Sequence, residues 1–414
     1  MLEGKIIKFY RESKGMTQKD LGDGICSNTH LSKIERGLTE VSKELIDLLS
    51  KRLEIDLKAE IESYDKLELL LNSWHEAIIL RFDSKAKLLK EQLEEIPLLH
   101  LPNLYHQYLL ILSKFYLSIN EADKTIPIIA EIENQLEPSP YNTNMLLHIK
   151  GILQLHKGNY NNAITILKKI DLSYYNNPEF YYHLAVAYHS IKSRTLSYYY
   201  ANKALQFFTD ARSFPRIIDS EMLMLIQVEQ DDFYNPETTL SYKRLIEMAE
   251  NYGLKHQRFN IIHNYAYYQL RHGYFTEASE LFKKALESQS PLSEFYLGSL
   301  EGYLNALSQQ GETSQETLLE IAKKGLKLAK KNKDKLFIHL FRLHLYKLQH
   351  SEGEYFHYLE TKAYPYINET GMTLITEHYQ VQLFDYYMEK GDIEKANKFA
   401  IPLVEKHRRV NMFV

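Results

Sequence analysis

Positions 28, 29, 32, 33 and 36 carry Asn, Thr, Ser, Lys and Arg. On a helix those spacings fall on one face, which would present an amide, two hydroxyls and two cations with no large apolar group. Amide and hydroxyl groups at the start of such a helix can read base edges in a DNA groove. Lys33 and Arg36 can meet bases or phosphates. A second set lies far along the chain: Asn260 and Asn264 one helical turn apart, His263 and Tyr267 beside them, with Arg258 before and Asn305 after. An Asn side chain carries both donor and acceptor, so it can pair with an extended peptide unit at two points. Arg258 could meet a carboxylate. Both sets are also what an ordinary solvated helix face looks like, so the elements that position them decide.

Residues 1–57 read as a run of short helices. Residues 3–13 place Ile6, Ile7 and Tyr10 at helical spacing, and Gly15 ends that helix. Thr17 to Asp20 has the spacing of a capping box. The second helix stops around Gly22-Asp23-Gly24. Ser27 is placed to cap a third helix from about Asn28 to Arg36, ended by Gly37, with Leu31 and Ile34 facing inward. A fourth helix follows Ser42, buries Leu45, Leu48 and Leu49, and ends near Leu53. Cys26 sits where a small apolar residue packs the turn, and a packing role is preferred over a redox role.

The run Gly15-Met16-Thr17-Gln18-Lys19-Asp20-Leu21, then Ile25-Cys26-Ser27, then Leu31-Ser32-Lys33-Ile34-Glu35-Arg36-Gly37, resembles the Xre/Cro-type helix-turn-helix family. That resemblance implies that Gln18, Asn28, Thr29, Ser32 and Lys33 contact DNA, with Arg36 on the same face. Two departures stand out: Gly22 replaces the usual Ala, and the turn is one residue shorter than in phage repressors. Charge adds a constraint. Residues 1–57 hold ten Lys and Arg against ten Asp and Glu. A neutral head gains little from counterion release, so two heads are expected to share one site.

Composition bounds the rest. The chain has 414 residues, is 44% hydrophobic and has a formal net charge of −4. No global cationic excess exists, so any polyanion contact must be local. With 16 Gly and 11 Pro the chain favours helices over turn-rich sheets. The lone Cys26 leaves no intrachain disulfide. The first residues lack the apolar stretch of a signal peptide, and no apolar run reaches membrane-spanning length. The expected setting is therefore the cytoplasm, away from membranes.

From about Lys58 onward the pattern is helical throughout, and hairpins repeat. The clearest spans Asn260–Glu287, with Ala266, Gly273-Tyr274-Phe275, Ala278 and Ala285. A second spans Asn144–Ile170 around Gly158, and a third closes the chain around Gly391, Ala396 and Ala400. Weaker copies lie at about 104–135, 178–208, 214–251, 293–330 and 334–368. Eight hairpins of tetratricopeptide type follow, in a right-handed superhelix whose concave side is lined by the first helix of each pair. The expected organisation is an all-α chain: a head over 1–57, a helical connector over 58–100 containing Trp74, and repeats over 101–414. Most of the 32 tyrosines are expected to pack between helices.

Head and repeats together resemble the RRNPP regulators of Gram-positive bacteria, of the PlcR and NprR type. The resemblance implies a signalling peptide in the concave groove, held by Asn residues of inner helices, of which Asn264 before Ala266 matches best. It implies operator DNA, a homodimer or higher oligomer and, as an alternative, a phosphorelay response regulator docked on the repeats. A repressor that senses no peptide is the third reading. Catalysis is not expected, and no metal or cofactor. His75-Glu76 starts like a zinc-protease helix, but position 79 is Ile; His339, His344 and His350 do not share one helical face.

Overall fold

The structure, a computed structural model, describes residues 2–134, 139–228, 235–290, 295–370 and 373–411, the side chains at 373, 374 and 406–411 apart. Every element among them is helical, as expected. Two compact units are distinguished: residues 1–153 with 166–177, and residues 154–165 with 178–414.

The first unit opens with α1 (Leu2–Ser13), α2 (Gln18–Gly22), α3 (Asn28–Glu35) and α4 (Lys43–Leu53). Thr17 and Asp20 form the reciprocal capping box, and Ser27 and Ser42 each accept a hydrogen bond from the third residue of the helix they start. These oxygens satisfy amides that have no partner within the helix. Gly15 and Gly37 end their helices with φ of 67° and 69°, a left-handed turn that costs glycine nothing. Ile6, Ile7, Leu21, Leu31, Ile34, Leu49 and Leu53 form the core of this head. One expected core residue is corrected: Leu48 is 51% exposed. The helix turns Leu49 and Leu53, one turn apart, towards α1 and α2, which leaves Leu48 about 100° away from the packed side.

Asp56 caps α5 (Leu57–Ile79), which turns back at α6 (Asp83–Glu94). The stretch expected as a connector thus contains a hairpin of its own. Trp74 is fully buried there and stacks on Tyr108 with ring centroids 5.5 Å apart. A 3-10 turn (Pro97–His100) leads to α7 (Pro102–Ser118), α8 (Ala122–Glu133) and α9 (Pro140–His156); α10 (Tyr160–Leu167) follows in sequence and is divided between the two units.

The second unit continues the repeat. Its pairs are α11 (Glu179–Ser190) with α12 (Arg194–Asp210), α13 (Phe214–Val228) with α14 (Pro236–Asn251), and α15 (Lys255–Arg271) with α16 (Phe275–Glu287). Next come α17 (Tyr296–Gln310) with α18 (Gln315–Lys331) and α19 (Lys335–Leu348) with α20 (Glu352–Tyr358). A π-helical turn joins α20 to α21 (Tyr364–Glu369), before α22 (Thr373–Glu389) with α23 (Ile393–Asn411). All eight expected hairpins occur in the expected order. Their helices approach closely because small residues face bulky ones. A Cβ built on Gly302 would lie 2.3 Å from the Phe282 ring, and one on Gly325 would lie 2.3 Å from Phe341. Ala266, Ala278 and Ala285 are fully buried in the same way. Within this unit, Lys192 in the α11–α12 turn pairs with Glu377 on α22, far away in sequence.

Candidate nucleic-acid interface and ligand cleft

The polar residues of α3 share one face, as the spacing requires. Asn28, Thr29, Lys33 and Arg36 are exposed, Ser32 is half-buried, and Leu31 and Ile34 are buried beneath them. Arg36 leans along its own helix, donating from Nε to the Ser32 carbonyl at 3.3 Å. Gln18 is different. Its Nε2 donates to Glu35 Oε2 at 2.8 Å, and Glu35 also takes two bonds from Arg11, at 2.6 and 3.0 Å. Arg11 further donates to the Met16 carbonyl at 2.8 Å. Its guanidinium, held by Glu35, is pushed further towards the charged form. Gln18 therefore has its amide nitrogen turned to this buried pair, which fixes α2 against α3. Arg52 on α4 is a residue that sequence reasoning missed. It donates to the Leu21 carbonyl at 3.1 Å and to that of Asp23, which secures the α2–α3 turn. Cys26 is half-buried, and burial raises its thiol pKa, so it is not a reactive thiolate.

In the second unit a cleft of about 250 Å³ opens among α11, α13 and α15. Asn260, His263 and Asn264 line it; Arg258, Tyr267 and Asn305 do not. Asn264 Nδ2 donates to the Asn260 carbonyl at 2.8 Å, and Asn260 Nδ2 lies 3.3 Å from His256 Nε2. Asn260 Oδ1 is buried and has no hydrogen-bond partner among the described residues. An acceptor in that state costs about 1–3 kcal/mol unless a donor reaches it. Sequence reasoning missed the opposite wall, where α13 supplies Ile218, Asp219, Met222, Leu223 and Ile226. That helix carries no Asn, so the residue type being sought gave no signal there.

The other residues of the expected set tie helices together. Tyr267 Oη is 3.1 Å from the Gly298 carbonyl and 3.3 Å from Glu301 Oε2, so its one proton serves either acceptor. His344 Nε2 meets the other Glu301 oxygen at 2.7 Å. His263 Nδ1 lies 2.8 Å from Ser299 Oγ. Burial lowers the His263 pKa to about 4, with Glu301 opposing the shift, so its ring is neutral at pH 7. Burial and Glu301 push the Tyr267 hydroxyl well above its ordinary value. Arg258 Nε is paired with Glu250 at 2.7 Å.

Residues 7–59 match the helix-turn-helix family. Over 373 residues the chain is 22% identical to response regulator aspartate phosphatase I of Bacillus subtilis (strain 168), covering 84% of this chain and 92% of that protein. Among solved structures it resembles a Rap protein complexed with Competence and Sporulation Factor, with a TM-score of 0.69, 17% identity and coverage of 83% and 98% of the two chains. It also resembles NprR in complex with its cognate peptide NprX, with a TM-score of 0.65, 17% identity and coverage of 83% and 99%. Over 83% of the chain the fold is that of these two structures. No helix among the described residues is long and apolar enough to cross a membrane.

Proposed function

We propose that the chain is a peptide-sensing transcription regulator of the RRNPP type. Its α3 face reads operator DNA, and its repeat array binds a short extended peptide at the α13–α15 cleft. The orphaned Asn260 oxygen carries the peptide reading: a peptide N–H is a donor of the kind it lacks. The neighbouring Asn264 amide can pair with the adjoining peptide unit. Asp219 across the cleft favours a ligand group bearing N–H donors or positive charge. At about 250 Å³ the cleft is smaller than a typical drug-sized pocket, so it holds part of the peptide while the rest runs along the groove. A ligand that binds one arrangement of the array better than another shifts the DNA-binding equilibrium by that difference. The charge-neutral head implies that two copies bind together.

Two measurements test this. Screening the full chain against a library of short linear peptides should yield binders, and Asn260→Ala should weaken them at least tenfold without changing the fold. Selection from random duplexes should enrich a sequence that the Asn28→Ala/Lys33→Ala variant no longer prefers. Failure to enrich any duplex at low ionic strength would remove the DNA half. A second reading draws on the likeness to the response regulator phosphatase: the repeats dock a response regulator. Capture of such a protein, undiminished in Asn28→Ala/Lys33→Ala, would support it.

A further inference from the structure

Three of the second helices in the repeat, α12, α14 and α16, carry no more than two Lys or Arg each, with at least one carboxylate in each. Helices α14 and α16 each carry two cations and three carboxylates. Helix α18 carries five lysines and two carboxylates, and the two acids, Glu316 and Glu320, lie in its first half. Lys323, Lys324, Lys327, Lys330 and Lys331 follow over about 12 Å of helix. At 100° per residue they occupy an arc of about 120°, directly opposite the line of Leu318, Ala322, Gly325 and Ala329 that packs inward. All five are exposed. Lys333 and Lys335 extend the ridge into the next turn, and they too are exposed. The acid between them, Asp334, is turned to the backbone, where it accepts from Phe337 N and caps α19. Among the described residues none of these seven lysines forms an ion pair.

Ordinary helix chemistry accounts for only part of this. Cations in the last turn offset the negative end of the helix dipole, which covers Lys330 and Lys331. A solvated face would be expected to mix signs, as α14 and α16 do. Seven unpaired like charges within thirteen residues repel one another, and they leave the remainder of a chain of net charge −4 strongly acidic. Such a ridge gains free energy when a polyanion neutralises it. The head, with ten cations against ten acids, lacks the electrostatic attraction that a DNA-binding domain usually supplies for itself.

We propose that the α18 lysine ridge binds the DNA phosphate backbone and supplies the sequence-independent attraction that the neutral head lacks. This rests on the DNA-binding reading above, and the two fail separately. The α3 face reads sequence; the ridge provides the salt-dependent part of the affinity.

The test uses the full chain, a labelled random-sequence duplex and anisotropy titrations from low to moderate NaCl. Each lost phosphate contact takes about 0.9 off the slope of log K against log salt. The Lys323→Gln/Lys324→Gln/Lys327→Gln/Lys330→Gln variant keeps helix propensity, and circular dichroism checks its fold. Its slope should fall by about 2 or more, with at least tenfold weaker binding at low salt. A charge-matched variant, Gln at the exposed Lys85, Lys87, Lys168 and Lys169, should leave the slope unchanged. Asn28→Ala/Lys33→Ala should lose preference for an enriched duplex while keeping the ridge-dependent part of the slope. If no duplex is ever enriched but the ridge slope persists, sequence reading fails and the ridge stands. Equal slopes for wild type and ridge variant overturn the proposal, as does an equal fall in both lysine variants. So does a loss confined to phosphatidylserine vesicles or to an acidic protein, with DNA binding intact.

Discussion

Single residues differ in how far their type announced their role. Asn28, Thr29 and Lys33 stand exposed on α3, where spacing put them. Gln18 has the same chemistry but spends its amide nitrogen on Glu35, because Arg11 and Glu35 form a buried pair whose free lone pairs need donors. His263 shows the reverse. Its type and spacing suit a ligand contact, and its burial gives it a consequence of its own. Its folded pKa, about 4, lies below the unfolded value, so between about pH 6.5 and 4 the unfolded chain binds a proton that the folded chain refuses. Stability therefore falls as pH drops through that window, by on the order of 2 kcal/mol at pH 5 from this residue. Urea unfolding at pH 7 and pH 5 should show a larger loss for wild type than for His263→Gln. Parallel losses would refute this.

At the level of elements, packing distance separates glycines that look alike. Gly22 occupies the position where Ala is usual in the resembling family, and its backbone is helical. A Cβ there would meet Leu31, Cys26 and Asn28 at 3.7–3.9 Å, ordinary contact. Gly22→Ala should therefore stabilise the head by about 0.5–1 kcal/mol through reduced unfolded-state entropy. Gly325 on α18 is also helical, but its Cβ would fall 2.3 Å from the Phe341 ring. Gly325→Ala should cost about 1–3 kcal/mol by forcing α18 from α19. Thermal melts of the two variants should move in opposite directions; a shift of the same sign in both would show that close helix approach is not what holds α18 to α19.

At the scale of the second unit, hairpins pack on their neighbours in sequence, α12 on α13, α14 on α15 and α16 on α17. The Lys192–Glu377 pair is of another kind, because it joins hairpins that nothing local brings together. A partly buried pair of this sort contributes about 0.5–1 kcal/mol. Glu377→Lys should lower the melting temperature by placing like charges together, and Lys192→Glu/Glu377→Lys should restore it. Additive losses in the double variant would mean that the two side chains do not meet in solution.

Helical periodicity, Ser and Thr at cap positions and glycine at turns were enough to place the head and eight hairpins, because these signals act within a few residues. The exposed α3 face was legible for the same reason. Local pattern could not reveal that residues 58–100 hold another hairpin, since its small residues are less regular. Nor could it show that Leu48 faces water while Leu49 does not, which depends on how α4 docks on α1 and α2. The cleft depended most on tertiary structure. Asn260 and Asn264 were visible as a pair, but Asp219 and Met222 join them only because the repeat lays α13 beside α15. Sequence dictates which faces a helix offers; only packing decides which faces meet.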